Sequence, residues 1–249
     1  MEINELALFA GIGGGILAGK LLGWSTVCGV EKDEYCASIL VKRQNEGILP
    51  PFPIWSDVTT FDGKPWKGIV DVVSGGFPCQ DVALCGTGKG LKGKKSGLWK
   101  HMARIICEVG PREVFVENSA DLATRGLSDI LRDLAEMGYH AAWGVLGNSD
   151  LGGCHRRRKM WIYASNSSFE RYRTQEKQVC ARRSTVIKCN WGKNKSRICG
   201  VDDGSAFRVD RIKAIGNAQS PIVAATAFLE LKKSLFENLN TKSGFHSQI

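Results

Sequence analysis

LALFAGIGGGILAGKLLG, residues 6–23, joins an apolar run, a glycine-rich turn and a helix-forming run. We expect residues 6–10 to form a buried strand and residues 15–22 to form a helix that Gly23 ends. Glycines in such a turn let the backbone pass close to a ligand, and the first turn of the helix offers free N–H groups. Nicotinamide-cofactor enzymes have similar turns, so the segment indicates a bound cofactor without deciding which one.

Apolar runs and helix-forming segments continue to alternate through the first 165 residues. Several of the apolar runs are rich in Val and Ile, as buried parallel strands require. Asp33 is a start signal and Gly138 a stop signal for two of the helices. The pattern predicts an α/β fold with a doubly wound, mostly parallel sheet. The further predicted strands are residues 26–31, 69–74, 113–117, 139–146 and 160–164, and the further predicted helices are residues 34–44, 97–108 and 127–137.

The alternation ends after residue 165. Residues 166–207 are polar and basic and show no period, which predicts a small irregular segment with a role of its own. Residues 219–236 predict a helix with Pro221 in its first turn, where a missing N–H costs little. We therefore divide the chain into a domain (1–165), the irregular segment (166–207), a returning helical segment (208–236) and a frayed, flexible tail (237–249).

The basic residues are concentrated in one late part of the chain. Residues 155–213 hold sixteen Lys and Arg against five Asp and Glu, a net charge of +11, and the rest of the chain carries −2. A charge run usually forms a solvated face. An excess confined to one segment beside a neutral domain nevertheless favours a polyanionic partner.

The composition excludes several classes of protein. The 249 residues are 43% hydrophobic, and no apolar run approaches the roughly 18 residues of a membrane span, so we expect no membrane partner. The acidic N-terminus argues against a signal peptide, which predicts a cytoplasmic protein. Nine cysteines, an odd number without a C-x-x-C pair, favour reduced thiols over a disulfide framework or a zinc site. We therefore expect no bound metal.

Two acidic residues are candidate cofactor ligands. Glu31 ends the next strand, about 20 residues after the glycine turn. A carboxylate at this position can accept hydrogen bonds from both ribose hydroxyls of an adenosine cofactor. A surface acid before a helix is the alternative explanation of Glu31. Asp57, in the sequence SDV at 56–58, is a weaker candidate for the adenine amino group.

A second segment, VVSGGFPCQD at residues 72–81, places Cys79 just past a predicted buried strand. Open α/β sheets hold their ligands at the carboxyl ends of parallel strands. Pro78 stiffens the turn, and Gly75 and Gly76 admit close approach. A cysteine in a polar, glycine-lined turn is favoured as a reactive thiol over a buried structural one.

Together these segments resemble the DNA (cytosine-5) methyltransferase family. Five motifs occur in the family's order and cover the chain from residue 6 to about 230. They are the glycine turn at 9–14, Pro78-Cys79-Gln80, the Glu117-Asn118 pair in VFVENS, HRRRK at 155–159 and RIKAIGNAQSP at 211–221.

The resemblance implies a Rossmann-like fold of the type that binds S-adenosyl-L-methionine, with residues 166–207 as a short target-recognition segment. It implies that the methyl group of this cofactor goes to carbon 5 of a flipped-out cytosine, through a covalent bond between Cys79 and the base. Glu117 then contacts ring nitrogen 3, Arg157 lies near the ring oxygen, and Pro78 shapes the catalytic loop. The predicted cofactor-binding residues are Phe9, Ala10, Gly11, Ile12, Gly13, Gly14, Glu31, Lys32, Asp57, Val58 and Asn217.

The predicted partner is double-stranded DNA. The glycine- and lysine-rich segment 85–97 is suited to closing over DNA, and the basic segments supply further phosphate contacts. We expect a monomer, with a restriction endonuclease for the same site as a possible cognate partner. The predicted DNA-binding residues are Lys89, Lys92, Lys94, Lys95, Arg156, Lys159, Arg182, Arg183, Lys193 and Lys195.

Three positions depart from the family pattern. Ser119 follows the Glu117-Asn118 pair where the family has Val, His155 replaces a Gln, and Lys159 replaces the second Arg of the arginine motif. Lys cannot make the planar two-pronged contact of Arg. The recognition segment, at about 40 residues, is also short for the family, which puts an elaborate target site in doubt.

Two other functions remain open. An RNA cytosine-5 methyltransferase on the same scaffold could manage with a reduced recognition segment. A catalytically inactive DNA-binding regulator is the second alternative, although such a protein has no need of Cys79 and Glu117. An oxidoreductase with a nicotinamide cofactor does not explain Pro78-Cys79-Gln80.

Overall fold

A seven-stranded sheet with helices packed on both faces forms the core of the computed structural model, which describes residues 2–78, 97–153, 156–166 and 208–243. The strands are β1 (Ile3–Leu8), β2 (Trp24–Val30), β3 (Ile54–Trp55), β4 (Val72–Gly75), β5 (Glu113–Ser119), β6 (Tyr139–Gly147) and β7 (Arg158–Asn166). The α-helices are α1 (Gly14–Leu22), α2 (Glu34–Asn45), α3 (Gly97–Val109), α4 (Leu127–Glu136), α5 (Arg208–Asn217) and α6 (Pro221–Ser243).

The strand order is β3-β2-β1-β4-β5-β7-β6, and all strands run parallel except β7, which is antiparallel to both of its neighbours. The chain winds outward from β1 to β3 on one side and from β4 to β5 on the other. The crevice between the carboxyl ends of β1 and β4 is therefore the point where the winding reverses, and α/β sheets bind their ligands there. The predicted doubly wound, mostly parallel sheet is confirmed.

The sheet is covered on both faces by apolar helix surfaces. α3 and α4 pack on one face, and α3 buries Trp99, Met102, Ile105, Ile106 and Val109 at helical spacing. α1 and α6 pack on the other face, where Trp24, Phe115 and Tyr163 meet Phe228 of α6 and Trp161 stacks on Phe115. None of the helices in the described part of the chain is long and apolar enough to cross a membrane.

Local signals set several of the helix ends as predicted. Asp33 caps α2, because its Oδ1 accepts a hydrogen bond from the backbone N–H of Cys36 at 3.1 Å. Gly23 ends α1 with a φ of 80°, a left-handed conformation that glycine adopts without strain.

Other boundaries differ from the prediction. β3 was not predicted, because two residues after Pro53 show no periodicity. The returning helix predicted within 208–236 is divided in two, and α5 is its first part. α6 begins at Pro221 and continues through Ser243, so the predicted frayed tail is wrong for residues 237–243. Residues 167–207, which hold almost all of the predicted recognition segment, lie outside the described residues, so that division of the chain stays a prediction.

Glu5 is a fully buried acid in the middle of the sheet. Its two carboxyl oxygens accept hydrogen bonds from the hydroxyl groups of Thr26 on β2, at 2.7 Å, and Ser74 on β4, at 2.6 Å. Burial raises the pKa of Glu5 above its usual value, more than these two hydrogen bonds lower it. The folded chain therefore holds this proton more tightly than the unfolded chain does.

This raised pKa predicts a pH-dependent stability. The stabilisation from protonated Glu5 is complete below the ordinary carboxyl pKa of 4.5 and decreases as the pH rises, because the unfolded chain then gains by losing the proton. Gln is neutral at every pH. We expect the melting temperature of the native chain to fall relative to that of Glu5→Gln as the pH is raised from 4.5 to about 8. Thermal unfolding at stepped pH measures this, and a constant difference would contradict it.

Candidate active site

One cavity opens at the crevice between β1 and β4. It is lined by β1 and the loop after it with α1, by Trp24 on β2, by the end of β4, by Phe115 and Glu117 on β5, and by the connection between α5 and α6. The residues at this edge are Phe9, Ala10, Gly11, Gly14, Gly15, Ser74, Gly75, Gly76, Glu117, Asn217, Ala218 and Gln219.

The loop after β1 is held in a tight turn. The N–H of Ala10 donates to the carbonyl of Val30 on β2, and the N–H of Gly13 donates to the carbonyl of Ala10. Phe9 has a φ of 52°, which is uncommon outside glycine and marks strain that the surrounding contacts hold in place. A Cβ added at Gly11 would meet no atom within 4 Å, so the backbone here faces open space. A ligand can approach the loop at this point.

Glu31 supports this loop directly. One carboxylate oxygen accepts from the N–H of Gly11 at 2.6 Å, and the other accepts from the N–H of Asp33 at 2.8 Å. A carboxylate has about four acceptor sites, so two remain for a ligand. Glu31 does not itself line the cavity. The structure thus gives Glu31 a supporting contact to the loop that sequence reasoning did not foresee.

Lys32 and Asp57 form an ion pair beside the cavity rather than in its wall. The Lys32 ammonium lies 3.0 Å from the Asp57 carboxylate. The backbone N–H of Thr59, followed by Lys32, lowers the pKa of Asp57 to about 2. Val58 is buried, and its carbonyl accepts from Arg104. Of the predicted cofactor residues, those that line the cavity are Phe9, Ala10, Gly11, Gly14 and Asn217, and those that do not are Ile12, Gly13, Glu31, Lys32, Asp57 and Val58.

The carboxylate of Glu117 is 95% buried at the inner wall of the cavity. The Lys159 ammonium lies 2.5 Å from its Oε1. The register of the sheet explains this contact: Lys159 on β7 is opposite Ser119 on β5, and a long side chain reaches the diagonal neighbour Glu117 on the same face. No described residue makes a hydrogen bond of good geometry to Oε1.

Asn118 joins the ends of β4 and β5. Its side-chain amide donates to the carbonyl of Phe77 at 2.9 Å, and its side-chain carbonyl accepts from the N–H of Ser119 at 2.8 Å. Asn118 is buried, so these two bonds replace the hydrogen bonds that its side-chain amide would otherwise make to water. The bond to Phe77 fixes the backbone immediately before Pro78, where the described residues end.

Arg157 contacts the backbone that carries the last motif. Its guanidinium donates to the carbonyl of Ala218 at 2.7 Å and to that of Ile215 at 3.3 Å. The cation that lies beside Glu117 is therefore Lys159, while Arg157 secures the end of α5. The predicted contact of Arg157 with the ring oxygen of a base stays a prediction.

Several basic residues of the segment 155–213 have partners within the protein. Lys213 on α5 pairs with Asp33 at 3.0 Å, and Arg158 lies 3.9 Å from Asp150. With Arg157 and Lys159 included, four basic side chains of the segment therefore contact other residues of the fold or of the site. The net charge of +11 therefore overstates the number of basic side chains in this segment that are available to contact a polyanion.

Gln219 is a polar residue of the cavity that sequence reasoning missed. It follows α5, and its amide nitrogen donates to Oε2 of Glu117 at 3.2 Å. The sequence did contain a signal for Gln219. A side-chain amide stands among small residues just before Pro221, where a simple connection between two helices does not require one.

Residues 3–228 match the family described as C-5 cytosine-specific DNA methylase. The chain belongs to this family. The resemblance carried by the five sequence motifs is thereby confirmed.

Curated members of the DNA methylase family align over much of the chain. The Type II methyltransferase M.CviJI of Paramecium bursaria Chlorella virus IL3A is 29% identical over 240 residues, 96% of this chain and 62% of that protein. M.HhaI of Haemophilus parahaemolyticus is 30% identical over 164 residues, 64% of this chain and 48% of that protein. The chain thus spans less than two thirds of the length of these relatives.

Solved methyltransferase structures share the fold. Entamoeba histolytica methyltransferase EhMeth matches with a TM-score of 0.57 at 18% identity, over 68% of this chain and 55% of that one. S. pombe Dnmt2 methyltransferase matches with a TM-score of 0.52 at 18% identity, over 66% of this chain and 49% of that one. At such identities the likeness establishes the fold, and the predicted methyltransferase fold is confirmed.

Some predicted positions lie outside the described residues. Their roles stay predictions. They are Cys79, Lys89, Lys92, Lys94, Lys95, His155, Arg182, Arg183, Lys193 and Lys195. Arg156 is described and exposed, and its contact with DNA is likewise a prediction.

Proposed function

We propose that this chain transfers the methyl group of S-adenosyl-L-methionine to carbon 5 of cytosine in double-stranded DNA. One observation carries the proposal: a single cavity is lined both by the glycine loop after β1 and by the buried carboxylate of Glu117. The loop suits a cofactor, and the carboxylate suits the polar edge of a base. The two reacting molecules would therefore meet in one space.

The residues at the loop fit an adenosine cofactor. Gly11 leaves open space above the backbone, α1 begins at Gly14 with free N–H groups, and Glu31 keeps acceptor sites for ribose hydroxyls. Asn217 borders the same cavity from the end of α5. When bound, S-adenosyl-L-methionine supplies an electrophilic methyl group on its sulfonium.

The proposed chemistry begins at the base. Carbon 6 of cytosine is a poor electrophile. A proton that the Glu117 carboxyl group donates to ring nitrogen 3, with the exocyclic amine donating to the same group, draws electron density away from carbon 6. The Cys79 thiolate adds at carbon 6, forming a C–S bond and making carbon 5 nucleophilic enough to take the methyl group. A base then removes the carbon 5 proton, and the C–S bond breaks to release the thiolate. Covalent catalysis divides one difficult step into easier ones.

A duplex hides both carbons, so the base must be flipped out of the stack at a cost of a few kcal/mol. Contacts with phosphates offset this cost, and we assign them to the predicted lysines of segment 85–97 and to the basic residues of 166–207. We further propose that the chain acts on DNA as a monomer and that a restriction endonuclease for the same site accompanies it.

The test is a transfer assay with tritiated S-adenosyl-L-methionine on duplex DNA and on transfer RNA, followed by bisulfite sequencing of DNA from cells that express the chain. We expect label in DNA and 5-methylcytosine at one short sequence. Label in transfer RNA alone would establish the RNA alternative. Specific DNA binding without label would establish the inactive regulator.

Glu31→Ala should weaken S-adenosyl-L-methionine binding by about 1–3 kcal/mol, the range for hydrogen bonds to a charged group. The effect combines the ribose contact with the support of Gly11. Glu31→Gln keeps one acceptor oxygen, so its affinity for S-adenosyl-L-methionine should lie between that of the native chain and that of Glu31→Ala. Calorimetry measures the affinity, and an unchanged value for Glu31→Ala would remove Glu31 from the site.

Charge reversal at Arg182 and Arg183, or at Lys193 and Lys195, should weaken binding to all DNA sequences. The slope of log affinity against log salt should flatten by about one for each phosphate that the variant no longer neutralises. Reversal of Lys64 and Lys67, in the connection that precedes β4, is the matched control. Equal slopes in all variants would show that the recognition segment does not face phosphates.

A further inference from the structure

The side chain and backbone of Gln219 fill a slot that three glycines leave open. A Cβ added at Gly14 would overlap the carbonyl oxygen of Gln219, and one added at Gly15 would lie 2.7 Å from its Oε1. A Cβ at Gly76, just after β4, would lie 2.9 Å from its Nε2. Gln219 therefore sits between the start of α1, which faces the cofactor loop, and the strand that leads to Cys79.

The amide of Gln219 is directed at the acid. Its Nε2 donates to Oε2 of Glu117 at 3.2 Å, across 102 residues of sequence. Oε1 of Glu117 is buried and faces the Lys159 ammonium without hydrogen-bond geometry. Within the described parts of the chain, the Gln219 amide thus holds Oε2 of Glu117, and the Lys159 ammonium lies against Oε1.

This single hydrogen bond restricts how the carboxylate turns. The terminal torsion of a Glu side chain is soft, so a carboxylate without a directional partner samples a broad range of angles. A donor fixed on Oε2 selects one orientation of the carboxyl group.

We propose that Gln219 is a positioning residue that fixes the orientation in which the Glu117 carboxyl group meets the cytosine. The inference deepens the proposed function and rests on it. Because the backbone of Gln219 lies on the first turn of α1, the orientation of the acid is set by the same contact that closes the cofactor side of the cavity.

Two substitutions test the role. Gln219→Leu keeps most of the volume and removes the amide, and should lower kcat about 10-fold, the value of one hydrogen bond to a charged group. The KM for DNA and the affinity for S-adenosyl-L-methionine should change less than about 3-fold. Gln44→Leu is the matched control, since it removes an amide hydrogen bond to the carbonyl of Phe52, away from Glu117, and should leave kcat unchanged.

Gln219→Glu should show a pH dependence of kcat that would not arise if Gln219 only filled space. The new carboxyl group shares the site with Glu117, and two close carboxylates hold a proton more tightly than one. When protonated, the new group donates to Oε2 as the amide does. We expect its kcat, relative to the native chain, to rise as the pH is lowered from about 8 to about 6.

The outcomes separate this inference from the proposed function. A native chain that methylates DNA, together with native kcat in Gln219→Leu or a pH profile of Gln219→Glu parallel to the native one, would overturn the positioning role alone. A native chain that transfers no methyl group to DNA would overturn the proposed function and this role with it. Melting temperatures verify that both variants are folded.

Discussion

Replacing Cys79 with serine should abolish methyl transfer and leave S-adenosyl-L-methionine binding almost unchanged. A serine hydroxyl is a far weaker nucleophile than a thiolate, so we expect kcat to fall by about 10³-fold or more. The cofactor side of the cavity, formed by Phe9, Ala10 and Gly11, does not depend on the thiol. Transfer assays and calorimetry on the same preparation separate the two effects.

DNA containing 5-fluorocytosine shows directly whether Cys79 is the nucleophile. Fluorine at carbon 5 cannot leave as a cation, so the adduct at carbon 6 cannot break down after methylation. The native chain should form a covalent complex that survives denaturation, and Cys79→Ser should not. Cys107→Ser, at an exposed cysteine on α3, is the control and should still form the complex. A covalent complex with Cys79→Ser would eliminate Cys79 as the nucleophile.

Glu117→Gln should lower kcat by about 10²- to 10⁴-fold, the range for an acid–base group that acts on the reacting atoms. The variant replaces a buried carboxylate beside Lys159 by a neutral amide of the same size. The affinity for S-adenosyl-L-methionine should stay near native, because the glycine loop and Glu31 are untouched. Steady-state kinetics on duplex DNA measures the effect.

The same strand supplies a matched control for Glu117. Glu113 is the first residue of β5, and its carboxylate pairs with a Lys as that of Glu117 does, at 2.7 Å from the Lys232 ammonium. Glu113→Gln should lower the melting temperature, because it breaks a largely buried ion pair, and should leave kcat unchanged. If both variants lost activity equally, the effect of Glu117→Gln would be one of stability rather than of catalysis.

Local features of the sequence were enough to predict the main elements. The strand, glycine turn and helix of residues 6–23 follow from an apolar run and from glycines that only a turn requires, and the structure has β1 and α1 there. Asp33 predicted the start of α2, because capping depends on atoms three residues apart. The Glu117-Asn118 pair, recognised as a motif, proved to be buried, and Glu117 lines the cavity.

The partners of those residues were decided by the tertiary structure. Lys159 reaches Glu117 because β7 pairs antiparallel with β5 in one particular register, and a shift of one residue would turn it to the other face. Gln219 meets Glu117 across 102 residues, and Lys213 meets Asp33 across 180. Periodicity and capping describe contacts within a few residues of the chain. Contacts between distant segments depend on how helices and strands pack, and no local pattern in this sequence encodes that packing.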